Sequence, residues 1–372
     1  MAEEIITALS RCSGIFVIAR NSSFTYKGRA VDVRQVGREL GVGYVLEGSV
    51  RLSEDRLRIT AQLIEATSGT HLWADRFDGS LGDVFELQDR IAETAAATIE
   101  PELRFAEVER IRRQPPKNLD AYELWLRAIS HANEFTPASM AAAQRCLKQA
   151  LEIDPGYALA MASSAYYHAH CHFQGWVEQP DHERDRAVRL ASEAVDLARN
   201  DANVIWQSAF VVWTFERDGA RALELFRRSL QINPNSAIAL GMAGWVEAAN
   251  GNPAEGRRLL EKSQRLSPRH PRGWFVSTGM AIACLADSNF QEAVAWAEKA
   301  LAENRRFGVA LRVLAVALVN TGQLDRAKKM VVEALKLEPH LTLSTLRTRI
   351  PLRQAPILDL YRESLKKAGL PE

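Results

Sequence analysis

The phrase Ala-Leu-Glu-Ile-Asp-Pro stands at residues 150–155 and then returns. It reappears as Ser-Leu-Gln-Ile-Asn-Pro at 229–234, as Ser-Gln-Arg-Leu-Ser-Pro at 263–268 and as Ala-Leu-Lys-Leu-Glu-Pro at 334–339. Pro234 and Pro268 are 34 residues apart, and Pro339 lies 34 after Arg305, which ends a degenerate copy at 300–305. A fixed period of this length marks stacked helix–turn–helix units, since one pair buries its apolar face only against its neighbours.

Working outward from the phrase, the apolar spacing predicts six helix pairs. They fall at 119–134 with 139–153, 157–173 with 183–198, 204–216 with 220–232, 237–250 with 253–266, 274–286 with 290–302, and 309–320 with 324–337. An irregular insert separates the helices of the second pair at 174–181. Gly244 and Ala315 fall mid-helix in the first members of their pairs, and Gly256, Ala293 and Ala327 in the second members. Small side chains there let the helices approach, and bulkier ones push the pair apart. Gly251 and Gly322 end first helices, where a left-handed cap favours glycine. Residues 343–370 leave the period and read as a terminal capping pair.

In these features residues 114–342 resemble the tetratricopeptide repeat family, with its tryptophan and tyrosine positions diluted. The resemblance implies a superhelical groove that takes a protein or peptide partner. Trp176, Trp206, Trp213, Trp245, Trp274 and Trp296 all lie in the array. Most are expected to pack between helices, and any on the concave face would serve as recognition anchors.

The whole chain has 372 residues, enough for a repeat array and one further domain. Its 47 Lys and Arg balance 46 Asp and Glu, and no basic block offers a nucleic-acid surface. No stretch approaches the ~20 continuous apolar residues of a membrane helix. Cys12, Cys146, Cys171 and Cys284 are widely spaced, which suits a reducing compartment better than disulfides. The acidic start, Met-Ala-Glu-Glu-Ile-Ile, lacks the basic opening and apolar run of a signal peptide. These features predict a cytoplasmic protein that does not bind nucleic acid or membranes.

Residues 1–113 read as a small α/β module. A helix is expected near 1–11, a short strand at 15–19, a polar loop at 21–28 and a helix at 33–40 stopped by Gly41. Three strands follow at 44–51, 56–66 and 71–77. In the second, Leu57, Ile59, Ala61 and Leu63 alternate with Arg58, Thr60, Gln62 and Ile64. A long helix capped by Asp83 carries Phe85, Leu87, Ile91 and Ala95 on a helical spacing, with Pro101 expected to kink or divide it. The fold class is thus an α+β module with a small mixed sheet, followed by an all-α solenoid.

Five segments, 16–28, 36–42, 44–51, 58–66 and 71–78, together resemble the bacterial TolB-like, FlgO-like module. That module is usually followed by tetratricopeptide repeats and sits downstream of a class III adenylate/guanylate cyclase domain or a winged-helix domain. The family's module opens with a strand and a short acidic loop before the helix that begins here at Met1. The resemblance therefore implies a chain that starts inside a longer protein, with the edge of the strand at 15–19 left open. Cyclase chemistry belongs to the preceding domain, so no enzymatic activity and no cofactor are expected of these residues.

The strongest chemical candidate is the run 166–172, where His168, Cys171 and His172 fall on one helical face at spacings suited to a transition metal, with His182 as a possible fourth ligand. Packed or solvent-facing imidazoles are the commoner outcome of such a run, so no metal is assigned. The loop at 21–28 lacks the Gly-x-x-x-x-Gly-Lys spacing of a phosphate cradle. Asp75, Asp78 and Asp83 are explained by caps and turns.

Overall fold

The computed structural model describes residues 2–12, 15–29, 31–80, 82–112, 120–177, 180–268, 272–350 and 355–372. These fall into two compact units, Met1–Gln114 and Pro115–Glu372.

The first unit is built on a three-stranded antiparallel sheet in the order β1 (Tyr44–Ser53), β2 (Arg56–Glu65), β3 (His71–Ser80). Helices α1 (Ala2–Leu9), α2 (Arg20–Ser23), α3 (Val33–Leu40) and α4 (Val84–Arg112) complete it. Alternation on β2 sets the buried face: Leu57, Ile59, Ala61 and Leu63 meet Leu87, Ile91, Ala95 and Ile99 of α4 and Ile5 and Leu9 of α1. Ile64, on the other face of β2, is buried as well, and the pairing with β3 shifts register at Leu63/Ile64. Asp32 caps α3 by accepting from the Arg34 amide at 2.8 Å, and Gly41 stops it in the left-handed region at φ 66°.

Four expectations for this unit are corrected. Residues 15–19 do not form a strand, so the sheet is wholly antiparallel among the described residues. Ile15 and Val17 pack on the core while Phe16 is 86% exposed, and apolar character alone does not give a strand without a neighbour to pair with. The polar stretch at 21–28 contains helical turns, α2 and the 3-10 turn Phe24–Tyr26. Pro101 does not divide the long helix but lies inside it, with buried Ile99 before it and buried Val108 after it. Burial on both sides outweighs the backbone hydrogen bond that the proline removes. Phe85 does not join the buried face and is 77% exposed.

The second unit is all helical, with the six expected pairs. They are α5 (Ala121–Asn133) with α6 (Pro137–Ile153), α7 (Ala158–Gln174) with α8 (Pro180–Leu197), and α9 (Ala202–Val211) with α10 (Gly219–Ile232). Then come α11 (Ala237–Ala249) with α12 (Pro253–Leu266), α13 (Gly273–Ala286) with α14 (Phe290–Glu303), and α15 (Gly308–Asn320) with α16 (Leu324–Leu337). The chain closes on α17 (Leu343–Arg349) and α18 (Ala355–Lys367). α9 runs on into a π-helical turn, Val212–Glu216, which ends at Arg217 with φ 56°.

Small residues set the pair spacing. A Cβ on Gly244 would stand 2.8 Å from the Gly256 carbonyl oxygen, and one on Gly256 2.7 Å from the Gly244 carbonyl oxygen. Only glycine at both places permits this approach. Ala293, Ala315 and Ala327 are fully buried at the corresponding places. Gly251 and Gly322 take left-handed φ values of 91° and 77° after their helices.

Candidate functional site

The first helices of the pairs carry aromatic residues one turn apart, which places them on one face. Tyr166 and His170 do so on α7, and Trp206 and Phe210 on α9. His170 stacks on Phe210 at 4.8 Å, and Tyr166 meets Trp206 edge-on at 5.0 Å. Trp245 of α11 lies 3.8 Å from Phe275 of α13, and Trp274 lies 4.5 Å from Phe307 at the start of α15.

Phe135, in the loop between α5 and α6, closes the series. Its ring lies 4.8 Å from Trp274 and 5.9 Å from both Phe307 and His170. Arg272 donates from Nη2 to the Ala132 carbonyl at 3.3 Å beside it. The first pair thus touches the fifth, and the rings between them are buried. Along this stretch the rings form a packed aromatic column. One cavity of about 20 Å³ lies beside Tyr166, His170 and Arg272, and another of about 30 Å³ beside Phe173, Trp213 and Trp245. Each takes a water molecule and neither takes a peptide.

The tryptophans divide accordingly. Trp206, Trp213, Trp245 and Trp274 are buried, and Trp176 packs on Phe135 at 5.3 Å. Trp296 is half-buried on α14, where its Nε1 donates to Glu292 and the Lys299 ammonium sits 4.7 Å above its ring.

The structure does not bring His168, Cys171 and His172 to a common centre. His168 Nδ1 contacts the Glu183 carboxylate of α8, which assigns the imidazole proton to that nitrogen. His172 turns instead toward Phe215, at 5.0 Å between ring centroids. Burial lowers both imidazoles to about 4, against the Glu183 charge for His168 and reinforced by Arg349 and Arg217 for His172. Burial also pushes the Cys171 thiol up to about 12, far from a thiolate ligand. His182 lies 3.9 Å from the other Glu183 oxygen. Among the described residues no group of three or more His, Cys, Asp or Glu side chains is placed to hold a metal ion.

A buried ion cluster went unread in the sequence. Glu338, 6% exposed, accepts from Arg312 Nη1 with one oxygen and from Arg349 Nη2 at 2.7 Å with the other. Its signal was Arg312 alone in the otherwise apolar helix Gly-Val-Ala-Leu-Arg-Val-Leu-Ala-Val, since a buried cation demands a buried anion.

Comparison with known proteins agrees with the helical half. Residues 285–350 match the tetratricopeptide repeat family model. The chain is 44% identical over 196 residues to a protein of Rhizobium meliloti (strain 1021) named putative adenylate cyclase 3, a match spanning 53% of this chain. The chain spans about a third of that relative's length (33%). Among solved structures, a monomeric mutant of IFIT1 bound to Gppp-AAAA aligns with TM-score 0.52 at 13% identity, over 73% of this chain and 62% of that one. A tetratricopeptide repeat protein from Parabacteroides merdae aligns with TM-score 0.39 at 17% identity, over 67% of this chain and 91% of that one. The chain therefore carries tetratricopeptide repeats, a fold of protein–protein interaction scaffolds. Among the described residues no helix is long and apolar enough to cross a membrane.

Proposed function

We propose that the chain is a non-enzymatic regulatory scaffold in bacterial signalling that binds a protein or peptide partner through its helix-pair array. The array itself carries this reading: six stacked pairs, of which residues 285–350 match the tetratricopeptide family. Stacked pairs give a long rigid surface whose side chains vary without disturbing the small residues that set the spacing. Residues 1–113 are read as the TolB-like module, which docks or senses, and the protein is read as cytoplasmic. The partner groove is the concave face, and its aromatic filling means that docking requires the groove to open.

A second reading is favoured by the 44% identity to a putative adenylate cyclase over 196 residues. In it, these residues are the C-terminal regulatory part of a longer cyclase or transcriptional regulator. The array then transmits partner binding to an output domain.

Affinity capture with the full chain, followed by reconstitution with the purified captured protein, tests the first reading. Saturable one-to-one binding supports it. Conversion of ATP or GTP to a cyclic nucleotide by the purified chain alone overturns the non-enzymatic assignment.

A further inference from the structure

The far end of the array is closed by the chain's own C-terminal segment. Arg217, at the end of the third pair's first helix, donates from Nη2 to the carbonyl of Arg347 at 3.1 Å and to that of Thr348. These carbonyls belong to the last turn of α17, where a helix has no N–H donors of its own to satisfy them. A side chain reaching main-chain oxygens is a form of capture that does not depend on the captured sequence.

The next residue is read by its side chain. The Arg349 guanidinium lies over Gly175, where a Cβ would collide with Nη1. Gly175 holds φ 73° at the end of α7, so the site is shaped for that guanidinium. Glu338 neutralises the guanidinium from below at 2.7 Å. Ile350 then lines, with Phe173, Trp213 and Trp245, a cavity of about 30 Å³. The seam is not fully satisfied. Trp213 Nε1 and Arg349 Nε have no hydrogen-bond partner among the described residues, so each gains hydration when the segment leaves.

We infer that α17 with Ile350 is a built-in ligand of the groove, and that the partner admitted in its place is a peptide segment of the same chemistry. That segment carries an arginine followed by an aliphatic residue, preceded by carbonyls free to accept from Arg217. The inference rests on the scaffold reading above and names what the groove recognises. While α17 is seated, the intramolecular copy competes at the high effective concentration of a tethered ligand.

The probe is a fluorescein-labelled peptide of residues 340–350, titrated by anisotropy into the full chain and its variants. Arg349→Ala with Ile350→Asp removes the anchors from the internal copy and leaves the groove residues intact. This variant is expected to bind the peptide at least about tenfold more tightly than the wild type, and adding Arg217→Ala is expected to reverse the gain. Arg217→Ala alone, which removes the donor to the two carbonyls, is expected to speed amide exchange in α17 by about tenfold. Equal peptide binding by wild type and the anchor variant overturns the inference. So does unchanged α17 exchange in Arg217→Ala, or global unfolding of the anchor variant, which would make α17 a structural part of the core. A physiological partner that binds wild type and anchor variant equally leaves the scaffold standing and removes only the built-in ligand.

Discussion

The Phe135 ring lies 4.8 Å from Trp274, which fixes the loop of the first helix pair against the fifth pair. Stacking along the sequence joins only neighbours, and this contact joins members far apart. Phe135 holds it from a backbone φ of 51°, an unfavourable place for a bulky residue. The ring contacts with Trp176, Trp274 and Phe307 outweigh that strain. Phe135→Ala is expected to cost about 3–5 kcal/mol in urea unfolding of the full chain. A loss below about 1 kcal/mol would show that the ring does not hold the closure.

Glu338 is the only carboxylate among the described residues paired with both Arg312 and Arg349. Glu338→Ala leaves two buried guanidinium groups without their anion and is expected to cost about 3–5 kcal/mol. Replacing Arg312 and Glu338 together by Met and Leu removes the charge at its source and is expected to cost much less. Equal losses in the two proteins, measured by denaturant titration, would contradict the assignment of the cost to unpaired charge.

Acid sensitivity follows from the buried imidazoles. His168 and His172 are lowered to about 4 when folded, against about 6.5 when unfolded. Between these values the unfolded chain binds more protons, so stability is complete above about pH 6.5 and is lost as pH falls toward 4. Each imidazole accounts for a loss on the order of 3 kcal/mol. Unfolding midpoints at pH 7.5 and 4.5 are expected to differ strongly, and a flat profile would contradict the burial of both rings.

His170 is held neutral by burial in the same way, and neither ring nitrogen has a hydrogen-bond partner among the described residues. It lines the cavity of about 20 Å³. His170→Phe is expected to keep or raise stability at pH 7.5 and to make the acid loss shallower. A large loss at pH 7.5 would show that the imidazole makes a polar contact the packing does not reveal.

Two glycines separate close packing from backbone strain. Gly244→Ala drives a Cβ to 2.8 Å from the Gly256 carbonyl and is expected to cost about 1–3 kcal/mol. Gly322→Ala meets open space at φ 77° and is expected to cost about 1 kcal/mol, from the left-handed backbone alone. Thermal unfolding of both variants ranks them, and a larger loss for Gly322→Ala would reverse the argument.

The six helix pairs were legible because each turn repeats local chemistry: an apolar phrase, a terminal proline and small residues at Gly244, Gly256 and Ala315. The β1–β2–β3 sheet was legible from the alternation on β2 and the short turns at Glu54-Asp55 and Ser68-Gly69. Closure through Phe135 was not, because it depends on how far the small inter-pair rotations accumulate from the first pair to the fifth, which no local pattern encodes. The strand expected at 15–19 failed for a related reason, since pairing needs a second backbone that hydropathy does not supply. His168 and His172 share a helical face by spacing, yet Glu183 draws one away and Phe215 takes the other. Arg312 was readable in principle, as a lone charge in an apolar helix, although its partner Glu338 lies inside the repeated phrase and reads there as an ordinary helix end.

The scaffold reading is tested most directly by calorimetric titration of the purified full chain with the protein it captures. The account predicts saturable one-to-one binding by the wild type, with a stoichiometry that does not depend on added ATP or GTP. Absence of saturable binding to any captured protein would contradict it.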